Sequence, residues 1–239
     1  MQEGFIFFPE RFSEGVPLRF PWPFEEMRVR SGEALLHALY FPVSKPKGCI
    51  LYFHGNAGSL RTWGFIAEDF VTRGYDIAIL DYRGYGKSEG EILNEQMLHT
   101  DAENFYARVM ERCPGGRIII YGRSIGTGIA SALAVRHPPD LLILEAPPTS
   151  VPDLAAVHYP FVPRLMVRYR LDVLDDVRNI TGPIVILHGT QDGIIPHSMS
   201  KKLAAAARGD CRLFLIEGGG HNDLATFPEY QKILDSVLQ

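Results

Sequence analysis

The stretch from Arg117 to Arg136, RIIIYGRSIGTGIASALAVR, decides the fold. It opens with a short apolar run, Arg117–Tyr121, of strand length and without polar alternation. Gly122-Arg123-Ser124-Ile125-Gly126 follows at once, and residues 125–136 have helical spacing. A G-x-S-x-G pattern between a strand and a helix has a mechanical meaning. The turn is tight enough to hold the serine in a strained backbone, and the flanking glycines remove Cβ atoms that would clash. The hydroxyl then stands at a helix N-terminus, where backbone N–H groups favour negative charge. Ser124 is thus a candidate nucleophile; the plainer alternative is a glycine-rich turn with an N-capping serine.

Outward from this turn the same strand-then-helix pattern repeats. Apolar runs at Cys49–Phe53, Asp76–Leu80, Leu141–Leu144, Ile184–Leu187 and Arg212–Ile216 read as strands buried on both faces of a parallel sheet. Segments 60–73, 96–112, 198–208 and 224–238 carry helical spacing. The alternation predicts an α/β fold with a mostly parallel central sheet and helices on both faces. Residues 26–30 and 34–41, joined by Ser31-Gly32-Glu33, read as an antiparallel hairpin. The Phe- and Pro-rich residues 1–24 read as an extended arm, since proline resists both helix and central strand. Residues 147–180, with five prolines, replace one simple crossover by a small helical insertion over the strand ends, where such sheets bind ligands. The expected organisation is a single domain, 1–239.

Composition narrows the function. The 239 residues are 46% hydrophobic and 22% charged, with a net charge of −4, which is the profile of a globular protein with a large core. That balance excludes a basic nucleic-acid binder and a disordered chain. Cys49, Cys113 and Cys211 are widely spaced without a CxxC pair, so neither a disulfide framework nor a zinc site is expected. Three reduced thiols, with no signal peptide and no apolar run of about 20 residues, predict a cytoplasmic protein without a transmembrane segment. Phe5-Ile6-Phe7-Phe8 offers a peripheral membrane contact as the alternative to packing on the domain. No cofactor is implied: neither G-x-G-x-x-G, a Walker pattern nor H-E-x-x-H is present. The sequence leaves the oligomeric state open.

A serine needs a base. His221, in the glycine loop Gly218-Gly219-Gly220-His221 after the last strand, is the candidate, with His158 in reserve among the seven other histidines. The acid that holds the imidazole is expected at Asp192, after strand Ile184–Leu187; Glu145 and Asp223 compete. Ser124, Asp192, His221 is the nucleophile–acid–base order of α/β-hydrolases. Oxyanion donors are expected at the amide of Ile125 and in the small-residue loop His54–Ser59, at Asn56 with Ala57 as the second choice. Tyr159, Phe161, Leu165, Met166 and Tyr169 of the insertion are candidates for an acyl pocket; simple packing is their alternative.

From about residue 26 the chain resembles the α/β-hydrolase superfamily. The motifs that carry the likeness are His54-Gly55-Asn56-Ala57-Gly58, the Asp81–Ser88 run DYRGYGKS, Tyr121–Thr127, His188-Gly189-Thr190-Gln191-Asp192 and Gly220-His221-Asn222-Asp223. They are similar to small serine hydrolases without a large lid, the depalmitoylase-like hydrolases and their bacterial relatives, akin to the prolyl-oligopeptidase catalytic domain. The resemblance implies Ser124, Asp192 and His221 as triad, the Asn56 and Ile125 amides as oxyanion hole, and a structural or pocket-forming Asp81–Ser88 loop. The start, Met-Gln-Glu-Gly, departs from the cysteine cluster of the depalmitoylase-like members and from the membrane helix of many bacterial ones. The expected activity is hydrolysis of carboxylic esters or thioesters through an acyl-enzyme. The alternatives are a peptidase or amidase with the same triad, and a non-catalytic binding protein.

Overall fold

Prolines at 9, 17, 21 and 23 keep the start of the chain extended. In the computed structural model, which describes residues 2–239, it carries one helical turn, α1 (Glu3–Ile6), and a two-residue strand, β1 (Phe8–Pro9). The hairpin follows as β2 (Glu25–Ser31) and β3 (Ala34–Phe41), with Gly32 supplying the left-handed turn at φ 60°. Next come β4 (Gly48–Phe53) and β5 (Ala57–Gly58). β5 pairs in parallel with β1, so the arm adds a strand to the loop after β4.

Segment 60–73 is not the single helix its spacing predicts. It divides into α2 (Leu60–Trp63), a 3-10 turn (Gly64–Ala67) and α3 (Glu68–Val71). Gly64 lies against the Phe20 ring, where an added Cβ would come within 2.3 Å; packing of the arm overrides helical periodicity there. β6 (Asp76–Leu80) and α4 (Glu95–Met110) complete the compact unit that ends at Ile119. Its strands run in the order β2-β3-β6-β4, with β4 and β6 parallel and buried throughout.

The second compact unit, Ile120 to Gln239, takes up β7 (Arg117–Arg123) and continues with α5 (Gly126–Arg136) and β8 (Leu141–Glu145). The insertion holds α6 (Val151–His158), a 3-10 turn (Arg164–Met166) and α7 (Val173–Asn179). Then come β9 (Ile184–Gly189), α8 (Ser198–Ala206), β10 (Cys211–Ile216) and α9 (Pro228–Val237). The order is β7-β8-β9-β10, with β8–β9 and β9–β10 parallel. β9 is buried throughout, and β10 is the partly exposed edge. Candidate residues therefore sit just past β7, β9 and β10, where parallel strands deliver successive loops to one end.

The cysteine expectation is corrected. Cys49, at the start of β4, and Cys113, after α4, form a disulfide across 64 residues, with Cα atoms 6.4 Å apart; Cys211 is free. No local spacing announces the pair, because tertiary packing alone brings the two ends together. The disulfide removes the premise of three reduced thiols on which a cytoplasmic location was expected. Among the described residues no helix is long and apolar enough to cross a membrane.

Candidate active site

Ser124 has φ 54°, left-handed backbone that a residue with a side chain adopts only when its surroundings impose it. The constraint is visible. The Ser124 N–H donates to the Glu145 carbonyl at 2.8 Å, and its own carbonyl accepts from the Thr127 N–H at 3.0 Å and the Thr127 hydroxyl at 2.6 Å. At Gly122 an added Cβ would lie 2.6 Å from Thr127 Cα and 2.7 Å from the Gly126 carbonyl. The glycine is there because the turn closes onto the first turn of α5. Ile125 follows the serine at the head of that helix.

The loops after β9 and β10 bring Asp192 and His221 to this serine. His221 Nε2 lies 3.1 Å from Ser124 Oγ, and His221 Nδ1 lies 2.7 Å from Asp192 Oδ2. A carboxylate only accepts, so Nδ1 carries the hydrogen and Nε2 offers its lone pair to the serine hydroxyl. The Asp192 side chain is fully buried. Burial alone pushes its carboxyl up, but hydrogen bonds from His188, His221 and the Ile195 amide, together with the electrostatic attraction between the carboxylate and the His221 ring, hold it well below the ordinary carboxylate range. Asp192 Oδ1 accepts the N–H groups of Ile194 and Ile195, each at 2.8 Å.

His188, one of the seven other histidines and not singled out from the sequence, belongs to this cluster. Its Nε2 faces two acceptors, the Ile195 carbonyl at 2.8 Å and Asp192 Oδ2 at 3.1 Å, so that nitrogen carries the hydrogen. Its Nδ1 then accepts from the Ser200 hydroxyl at 2.6 Å. The four-residue spacing from His188 to Asp192 was the available signal. Arg123 was also missed: it donates to the His221 carbonyl at 3.1 Å and to Asn222 Oδ1 at 3.2 Å, and its Nε lies 3.1 Å from Glu145 Oε1. Glu145, a rival acid, is therefore engaged by Arg123 and by the Tyr121 hydroxyl. Asp223 accepts the Gly220 N–H at 2.7 Å. His158 reaches the Ile194 carbonyl at 2.7 Å.

The remaining candidates separate. Of the five insertion residues, Tyr169 is buried at 1% exposure, whereas Tyr159, Phe161, Met166 and Leu165 are exposed, Leu165 at 98%. Asn56 stands in the first unit, between β4 and β5, with its carbonyl accepting from the Tyr85 hydroxyl at 2.7 Å and the Phe8 N–H at 2.8 Å.

A mostly parallel sheet with helices around it, carrying a serine on a strand-to-helix turn, is the architecture of α/β-hydrolases, and the chain is one of them. It belongs to the family described as serine aminopeptidase, S33, whose model matches residues 44–171, more than half of its length. It is 34% identical over 190 residues to the uncharacterized protein Rv2307c of Mycobacterium tuberculosis, covering 77% of this chain and 67% of that one. It is 33% identical over 177 residues to the lysophosphatidylserine lipase ABHD12 of Danio rerio, covering 64% of this chain but only 46% of the lipase. Among solved structures, the Pyrococcus furiosus esterase Pf2001 aligns with a TM-score of 0.76 at 15% identity over 98% of this chain and 96% of the esterase. At that identity the likeness speaks for the fold alone.

Proposed function

We propose that the protein is a serine hydrolase that cleaves carboxylic esters or thioesters through an acyl-enzyme. The observation that carries this reading is His221, whose two ring nitrogens lie 3.1 Å from Ser124 Oγ and 2.7 Å from Asp192 Oδ2. His221 Nε2 takes the hydroxyl proton as Ser124 Oγ attacks the acyl carbon, while Asp192 stabilises the resulting imidazolium. The amides of Ile125 and Asn56 would meet the negative oxygen of the tetrahedral intermediate, an interaction typically worth several kcal/mol of barrier. His221 then returns the proton to the leaving alcohol or thiol, and water, activated by the same nitrogen, releases the acid and restores the serine. In this reading Tyr159, Phe161, Leu165, Met166 and Tyr169 belong to the acyl side of the substrate path.

The lipase name among the similar proteins favours ester substrates. The family description favours a second reading, an aminopeptidase with the same three residues. Hydrolysis of p-nitrophenyl acyl esters, acyl thioesters and aminoacyl anilides, measured side by side, separates the two. Ester or thioester turnover that disappears in Ser124→Ala, with fluorophosphonate labelling of the parent only, is the expected result. A parent that is neither labelled nor active would leave a non-catalytic binding protein.

A further inference from the structure

The loop His54–Gly58 has an unusual accounting of its backbone. Each of its five consecutive carbonyls accepts a hydrogen bond. The His54 carbonyl accepts from the Tyr82 hydroxyl at 2.7 Å, and the Gly55 carbonyl from His54 Nδ1 at 2.7 Å. The Asn56 carbonyl accepts twice, from the Tyr85 hydroxyl at 2.7 Å and the Phe8 N–H at 2.8 Å. Trp63 Nε1 reaches the Ala57 carbonyl at 2.8 Å, and the Glu10 N–H reaches the Gly58 carbonyl at 2.9 Å. In a trans peptide the N–H points opposite to the carbonyl of the preceding residue. Holding the Gly55 and Asn56 carbonyls therefore fixes both peptide planes that flank the Asn56 Cα, and with them the directions of the Asn56 and Ala57 N–H groups.

Two of these donors come from the N-terminal arm, which runs in parallel register with β5. The arm is itself tied down: the Glu10 carbonyl accepts the Gly86 N–H at 2.7 Å, and the Glu10 carboxylate accepts the Ser59 hydroxyl at 2.6 Å. Tyr82 and Tyr85 come from the DYRGYGKS run. Donors to an oxyanion lower a barrier most when they are already aimed and need no reorganisation during the reaction.

We infer that the arm and the Tyr85 hydroxyl are positioning elements for the proposed oxyanion loop, with the Phe8 N–H and Tyr85 Oη holding the Asn56 carbonyl and so fixing the peptide plane that carries the Ala57 N–H beside Asn56. The inference rests on the proposed hydrolase reading and on an oxyanion donor in this loop.

Three variants test it on a p-nitrophenyl ester. Tyr85→Phe removes one hydroxyl. Phe8→Pro removes one N–H; the preceding Phe7 is already extended, at φ −115° and ψ 126°, as a residue before proline requires. Phe8→Ala shortens the side chain and keeps the N–H. Tyr85→Phe and Phe8→Pro are each expected to lower kcat by about 10-fold, less than the 100-fold or more lost with a direct donor, with KM within about twofold. Affinity for a boronic acid, which forms a tetrahedral adduct with the serine, falls in the same proportion, and Phe8→Ala restores kcat to within about twofold of the parent. Equal losses in Phe8→Pro and Phe8→Ala, a loss carried by KM, or an unchanged kcat in Tyr85→Phe would overturn the inference. If Phe8→Pro does not fold, as judged by thermal melting, Tyr85→Phe decides. Ser124→Ala separates the two levels: turnover that survives in it defeats the hydrolase reading, whereas an inactive Ser124→Ala beside a fully active Tyr85→Phe defeats the positioning inference alone.

Discussion

His188 Nε2 lies 3.1 Å from Asp192 Oδ2, the same oxygen that His221 Nδ1 approaches at 2.7 Å. One carboxylate oxygen thus serves two imidazoles. The second imidazole is locked by Ser200 and the Ile195 carbonyl, so it fixes the carboxylate without competing for the serine.

Removing that brace should show in both stability and rate. His188→Ala leaves the buried Ser200 hydroxyl and the Ile195 carbonyl without their partner, a loss of about 1–3 kcal/mol each way a buried polar group is orphaned. Urea unfolding should show a lower midpoint. The kcat of the folded fraction should fall while KM is retained, because Asp192 keeps its position less well. A variant with parental kcat would show that His221 and the two backbone amides suffice to hold Asp192.

Gly189→Ala tests the approach of the histidine loop. A Cβ at Gly189 would lie 2.1 Å from the Gly219 carbonyl oxygen and 2.4 Å from its carbon, both backbone atoms. The loop carrying His221 must then shift away from the end of β9, which also precedes Asp192. We expect kcat to drop by at least about 100-fold, since a displacement near 1 Å is enough for a loss of that order. Fluorophosphonate labelling should slow in parallel while the far-ultraviolet circular dichroism stays parental.

The disulfide gives a chemical count. Under denaturing conditions without reductant, a thiol reagent should titrate only Cys211; after reduction it should titrate all three cysteines. Closing a loop across 64 residues restricts the unfolded chain by roughly 4 kcal/mol in the chain-entropy account. Reduction, or Cys113→Ser, should lower the unfolding midpoint accordingly. Three reactive thiols before reduction would refute the pairing.

Stability should also fall between pH 6.5 and 4 because of His37. Burial lowers its pKa to about 4, the Arg28 and Lys87 charges act in the same direction, and Glu26 opposes them. Asp81 Oδ2 stands 3.9 Å from its other ring nitrogen. The unfolded chain binds a proton near the ordinary value of about 6.5, so within this window the unfolded state holds more protons and acid favours unfolding. His37→Gln should flatten the slope of urea midpoint against pH there. Asp192 acts in a lower window. Its depressed pKa gives stability that is complete above about pH 4 and is lost as the pH falls further.

The sequence by itself determined the succession of elements, because apolar runs and glycine placement are local. The run Arg117–Tyr121 had to be a buried strand, and Gly122 and Gly126 had to turn it sharply into α5. Candidate residues after successive parallel strands then followed from chain order. Even so, local periodicity failed at Gly64, where the Phe20 ring lies against the backbone and breaks the helix.

Only the tertiary structure decided which groups meet. Asp192, rather than Glu145 or Asp223, lies beside His221 Nδ1, and Glu145 is drawn off by Arg123. His188 joins that acid, five carbonyls of the His54–Gly58 loop find donors, and Cys49 finds Cys113. These pairings join residues whose distances depend on how strands stack and loops fold back. Hydrogen bonds and thiol pairing act over only a few ångströms, so no pattern along the chain could specify them before packing had set those separations.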